Sequence, residues 1–144
     1  MKRILSLAIA FIFVTTLAGC GRQEKAKDEI FNLVEQNYDT LVKACQANDV
    51  DALYAIKGVE EIAFRDNYVV VYCMGMGIAP SSQDYGFYYS RENRPAAVDC
   101  NLRILCETED LKPEGNGYEY FDKGYNCFYT EHIRGNIYFY SAVY

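Results

Sequence analysis

The rhythm of apolar residues changes twice along the chain. After a basic start, Met1-Lys2-Arg3, the run Ile4 to Leu17 is apolar apart from Ser6, Thr15 and Thr16, and a polar stretch from Gly21 to Asp28 follows. Apolar residues then recur at Ile30, Leu33, Val34, Tyr38, Leu41, Val42 and Cys45. Steps of three and four put these on one stripe of an amphipathic helix, with Glu35, Gln36, Asp39 and Lys43 on the other side. Asn48 or Asp49 has the short polar side chain that caps a helix start, and predicts a shorter helix through Leu53 and Ile56 that Gly58 stops.

Beyond Gly58 the pattern becomes that of strands. Tyr68 to Cys73 is β-branched and aromatic, and Gly75, Gly77 and Pro80-Ser81-Ser82 break it. Tyr85 to Ser90 reads as a second strand, closed by Asn93-Arg94-Pro95. Ala96 to Cys106 fits a helical turn (Leu102, Leu105, Cys106) or a strand (Leu102, Ile104) equally well. The turn-rich Lys112 to Gly117 leads into Tyr118–Phe121. Asp122-Lys123-Gly124 then turns into Tyr125–Glu131, and Arg134-Gly135-Asn136 into Ile137–Tyr144. Helices first and hairpins afterwards predict an α+β fold, with the long helix and a short one packed on one face of an antiparallel sheet of about five strands.

Tyrosine stands out in composition: 14 Tyr and no Trp. Strand alternation sets Ile137, Phe139, Ser141 and Val143 against Tyr138, Tyr140, Ala142 and Tyr144. Tyr118 and Tyr120 share a face, as do Tyr68 and Tyr72. A helix over the aliphatic face would leave Tyr68, Tyr72, Tyr118, Tyr120, Tyr138, Tyr140 and Tyr144 as a ladder on the opposite one. Tyrosine suits protein interfaces and sugar stacking, and cross-strand Tyr pairs also simply stabilise a sheet.

The N-terminal segment has the basic and apolar regions of an export signal, and is shorter than the roughly 20 apolar residues of a spanning helix. It ends in Leu17-Ala18-Gly19-Cys20, which resembles the lipobox of bacterial lipoproteins. The resemblance implies cleavage before Cys20, a lipid on its sulfur, an acylated amino group, and anchorage in membrane lipid facing the periplasm or exterior. Gly21 favours the outer membrane where there are two. The expected organisation is a removed signal peptide (1–19), a lipidated tether (20–28) and a single domain (29–144).

Losing Lys2 and Arg3 with the leader takes the formal charge from −6 to −8, which opposes nucleic acid and anionic headgroups and suits a basic protein partner. Outside the cytoplasm disulfides persist. With Cys20 lipidated, two bridges are expected among Cys73, Cys100, Cys106 and Cys127, and Cys45, on the helix stripe, is expected as a buried thiol. The pairing is open. No Cys-x-x-Cys spacing occurs, so neither a thioredoxin-like site nor a zinc knuckle is expected.

Candidate chemistry is sparse, and neither a cofactor nor a metal is expected. His132 is the one histidine, in a hairpin connection, with no Gly-x-Ser-x-Gly elbow beside any serine. Glu107, Glu109, Asp110 and Glu114 form an acidic cluster that could serve glycoside cleavage only if the fold sets two carboxylates at the right separation. The leading expectation is a non-catalytic envelope lipoprotein that binds a protein or glycan, or serves a structural role, through the tyrosine face. Val71-Tyr72-Cys73, Gly117-Tyr118 and Lys123-Gly124 loosely resemble the membrane-bound C-type lysozyme inhibitors, which implies inhibition of a host lysozyme. A cell-wall hydrolase using the acids from Glu107 to Glu114 is the catalytic alternative.

Overall fold

The computed structural model describes the backbone of residues 2–78, 81–122, 124 and 126–144, and the side chains of residues 23–77, 82–122, 124 and 126–144. The side chains of the lipobox, Leu17 to Cys20, lie outside the described residues, as do Pro80, Lys123 and Tyr125.

Helix α1 (Lys2–Ala47) is continuous. The stretch from Gly21 to Asp28, expected as a tether, is therefore helical. Ala26 is already buried, and Lys27, one turn before Ile30 and Phe31, continues the stripe that faces the sheet. The helix ends where Asn48 takes φ 52° and the Asp49 N–H returns to the Ala44 carbonyl at 2.9 Å, a left-handed C-terminal cap. Asp49 then caps α2 (Val50–Tyr54), its carboxylate accepting from the Ala52 N–H at 3.0 Å. At Gly58, φ is 101°, so the backbone favours glycine there, and an added Cβ would also push on Leu33 Cδ1 at 2.8 Å.

Among the described residues nine strands follow: β1 (Glu61–Phe64), β2 (Tyr68–Ile78), β3 (Ser81–Ser90), β4 (Ala96–Val98), β5 (Ile104–Glu107), β6 (Lys112–Glu114), β7 (Gly117–Phe121), β8 (Cys127–Arg134) and β9 (Ile137–Val143). Seven form one antiparallel sheet in the order β1-β2-β3-β9-β8-β7-β6, and β4-β5 is a separate hairpin. The sheet is thus larger than the five strands expected. The ambiguous stretch Ala96–Cys106 is this hairpin. Gly75 and Gly77 do not end β2. The strand passes a bulge between Tyr72 and Met74 and continues in register with β3 as far as Ile78 opposite Ser81, because the ladder to a long neighbour outweighs weak local propensity.

Each face of the sheet carries a core. On one, α1 runs obliquely: Phe31 meets Phe139 of β9 at 6.1 Å between ring centroids, and Gln46 reaches the Tyr89 hydroxyl of β3. Ile30, Val34, Leu41, Leu53, Val69, Val71, Phe87, Ile137 and Phe139 are packed together there, each aliphatic side chain contributing roughly 1.5–3 kcal/mol by burial. On the other face, the β4-β5 hairpin lies over the middle strands, with Ala96, Val98 and Leu102 against Tyr68, Val70, Tyr88, Tyr138 and Tyr140.

Candidate functional site

The alternation expected from the sequence holds: Tyr68, Tyr138 and Tyr140 share the face opposite α1 with Tyr72, and Tyr120 and Tyr144 continue it around Phe128 and Ala142. That face is not a free surface. Tyr138 is 6% exposed and Tyr140 0%, because the β4-β5 hairpin covers them. Tyr88, on the same face, stacks on Tyr138 at 5.3 Å and meets Tyr68 edge-on at 5.8 Å. The hairpin is fastened by a buried relay. The Ala96 N–H donates to the Tyr88 hydroxyl at 2.8 Å, which donates to Thr130 Oγ1 at 2.6 Å, which donates to the Phe139 carbonyl at 3.0 Å. At its tip Arg65 Nε donates to the Leu102 carbonyl at 3.1 Å, and the Cys100 N–H donates to the Tyr144 hydroxyl. The tyrosine ladder is therefore a second core, and only its rim (Tyr72, Tyr118, Tyr120, Tyr144) reaches solvent. Burial holds the Tyr88 and Tyr140 hydroxyls well above the usual phenol range.

The acidic cluster is scattered over an open shelf. Glu107 ends β5, Glu109 and Asp110 lie on a single 3-10 turn, and Glu114 is on edge strand β6; all four are exposed. A recess of about 710 Å³ is lined by Glu107, Glu109 and Asp110 with Asn93, Arg94 and Pro95. The Glu107 carboxylate stands by the Tyr68 hydroxyl, which burial first and this acid second push up to about 12. His132 is exposed, with Nε2 2.8 Å from the Gly135 carbonyl and its ring edge-on to Tyr138. Glu107, Glu109 and Asp110 share that recess, and His132 is not among the residues that line it. Among the described residues, no group of three or more His, Cys, Asp or Glu is placed to hold a metal ion.

The five cysteines Cys45, Cys73, Cys100, Cys106 and Cys127 are free thiols, where two bridges among the last four were expected. Topology keeps them apart. Cys73 on β2 and Cys127 on β8 are separated by β3 and β9, about 14 Å at normal strand spacing, twice the span of a disulfide. Cys106 packs beside Tyr120 and Phe128 on the opposite face. Cys100, in the turn of the hairpin, lies about 10 Å along the strands from Cys106. Burial pushes the thiols of Cys45 and Cys73 up to about 12.

Two features were missed in the sequence. The first is a charged cluster beside the start of α1, where Lys27 pairs with the buried Glu131 of β8, which also accepts from the Tyr129 hydroxyl at 2.6 Å. Burial, and then the Glu131 carboxylate, raise the Tyr129 phenol above its usual range. Glu131 alternates with Tyr129 and Ile133 on the inward side of its strand, and Lys27 sits on the helix stripe. A charge at each of two core-facing positions was the available signal.

The second is a groove between α1 and the outer edge of β2. β1 pairs only with Val69 to Tyr72. Among the described residues no strand lies on the outer side of β2, away from β3, beyond that point. Two adjoining recesses of about 540 and 440 Å³ run along this edge, sharing Glu29 and Met74. Ile30, Leu33, Cys73, Met74 and Met76 supply the apolar lining; Glu29 and Lys57 stand at the rim. Comparison of the chain with protein-family models, with curated protein sequences and with solved structures found no match to any of them.

Proposed function

We propose that the chain is a membrane-anchored envelope lipoprotein whose domain is a binding module, and that it takes up an extended segment of a partner protein as an added strand at the open edge of β2. The observation that carries this reading is the mismatch between β2, eleven residues long, and β1, which covers four of them. Cys73 to Ile78 leaves a row of backbone donors and acceptors on its outer side. Sheet proteins ordinarily guard such an edge with lysine, proline or a covering element. Here the sequence is Cys-Met-Gly-Met-Gly-Ile, without a charge. A strand added there makes ladder hydrogen bonds with its main chain and sets alternate side chains into the groove under α1, which is the logic of strand-addition recognition. Met74 and Met76 adapt to varied side chains because thioethers are flexible and polarizable. The address rests on the order of basic residues, apolar run, Leu17-Ala18-Gly19 and Cys20.

The test is in-cell photocrosslinking from a benzophenone amino acid at position 76, with position 54 on α2 as the control. The expected result is one recurrent protein captured from position 76 alone, crosslinked through an extended apolar segment. Met76→Lys should abolish capture without unfolding the domain. Equal capture from both positions, or capture indifferent to Met76→Lys, would refute the site. Loss of acyl labelling in Cys20→Ala tests the anchor separately.

A further inference from the structure

Several elements of the domain come together at one end, and it is the end at which α1 carries Cys20. β9 finishes at Val143, opposite Cys127 and Gln83; Cys127 pairs with Phe121 at the β7-β8 connection. The recess that joins Gln23 and Glu24 of α1 to Cys127, Ser141 and Val143 closes the ring. Lys25 and Ala26 lie beside Met76 and Gly77 of β2. Gln23 is three residues after Cys20, about 4.5 Å of helical rise. A lipid on Cys20 therefore holds this end of the domain against the headgroups, with no slack for it to swing away.

Phe121 stands at this end and is 57% exposed, more than Val50, Tyr54 or Tyr118. A single exposed Phe is ordinary in itself. Its position one strand from the anchored end of α1 is what gives it a partner. The mature chain carries a formal charge of −8 after loss of Lys2 and Arg3, so general electrostatics does not draw it onto anionic headgroups. Apolar insertion is the contact left to it, and an aromatic ring is suited to the interfacial zone.

We infer that this end is a second membrane contact, in which the Phe121 ring enters the interfacial region of the bilayer and fixes the orientation of the domain on its lipid anchor. The inference rests on the anchor reading above. The absence of tryptophan from the chain gives a clean probe, because Phe121→Trp introduces the one indole. Val50→Trp, at another exposed position but beyond the far end of α1, about 36 Å of helical rise from Gln23, is the control. The lipidated mature protein is reconstituted into phosphatidylethanolamine–phosphatidylglycerol vesicles, its acyl mass is confirmed, and its emission is read with and without lipids brominated in the acyl chain. The expected result is a blue-shifted emission and loss of intensity on brominated lipid for Phe121→Trp, and neither for Val50→Trp. An acylated Phe121→Trp protein whose emission stays that of an indole in water overturns the second contact and leaves the anchor standing. Protein that the cell exports but does not acylate at Cys20 overturns the anchor itself.

Discussion

The same substitution at two tyrosines of one face should act with opposite signs. Tyr88 and Tyr140 are both fully buried and face the β4-β5 hairpin from adjacent strands. The Tyr88 hydroxyl bridges the Ala96 N–H and Thr130 Oγ1. Tyr140 Oη has no hydrogen-bond partner among the described residues. In Tyr88→Phe two bonds go, each worth about 1 kcal/mol net, and the buried Ala96 N–H loses its acceptor at a further penalty of about 1–3 kcal/mol. The sum is a destabilisation of roughly 3–5 kcal/mol. In Tyr140→Phe nothing bonded is lost, and a buried hydroxyl that costs about 1–3 kcal/mol is removed. That variant should be neutral or more stable than the parent. Urea denaturation of the domain, followed by circular dichroism, reads both as shifts in midpoint at constant slope. Thermal midpoints should differ by about 10 °C or more, taking roughly 4 °C per kcal/mol for a domain of this size. Tyr88→Phe combined with Thr130→Val should lose less than the two separately, because they break one shared bond. A Tyr140→Phe variant that loses as much as Tyr88→Phe would refute the reasoning.

Packing and burial set the outcome of other perturbations. Gly86→Ala should prevent folding or lose upward of about 3 kcal/mol, since a Cβ would run into the Val71 carbonyl oxygen and stand 2.7 Å from Tyr140 Cε1. Gly115→Ala, with φ +56° but open space around it, should lose only about 1 kcal/mol; denaturation midpoints check both. Lys27→Met should cost about 3–5 kcal/mol, because it strands the buried Glu131 carboxylate. Lys27→Met with Glu131→Leu should recover most of that in the same assay. Cys45 and Cys73 keep their protons in the folded state up to about 12, against 9.0 unfolded. The native state therefore binds more protons at high pH, so stability is full below about pH 9 and falls as the pH rises toward 12. At pH 11 each thiol accounts for about 2–3 kcal/mol of that loss, and a urea midpoint flat from pH 7 to 11 would count against it.

The helix and the two-faced sheet were legible in the sequence because both rest on periodicities that do not depend on distant residues. The stripe Ile30 to Cys45 and the alternation Ile137 to Tyr144 fall on the faces their spacing assigns. What covers the tyrosine face was not legible. The cover is the β4-β5 hairpin, whose inner surface is Ala96, Ala97 and Val98, residues with no periodic signature, and whose turn holds Leu102 at φ 53°, a position that sequence reading gives to Gly or Asn. The length of β2 was hidden for a related reason. Gly75 and Gly77 are poor strand residues, and their conformation is imposed by Asp84 and Ser82 across the ladder. The spacing of the cysteines could not show that Cys73 and Cys127 lie on strands separated by two others, since compartment permits a disulfide but only proximity makes one.

Helix α1 joins the two proposals mechanically. It is the element that carries Cys20, and residues Glu29 to Asn37 of the same helix form one wall of the groove. At 1.5 Å per residue the groove spans about 14–26 Å along the helix axis from the backbone of Cys20, the proposed anchor point. With Phe121 as a second contact, neither the height nor the facing of the β2 edge is free to vary. A partner strand must then come from a protein that lies close to the same membrane, or from a segment long enough to reach down to it. The consequence can be separated from binding strength. A flexible Gly/Ser insert between Cys20 and Gln23 leaves the groove intact and removes only the fixed height, since such a linker behaves as a random coil. Photocrosslinking from position 76 should then spread to other proteins or weaken, although a soluble peptide of the partner binds the isolated domain as before. Capture unchanged by the insert would mean that recognition resides wholly in the groove, and that the rigid joint between anchor and domain serves some other end.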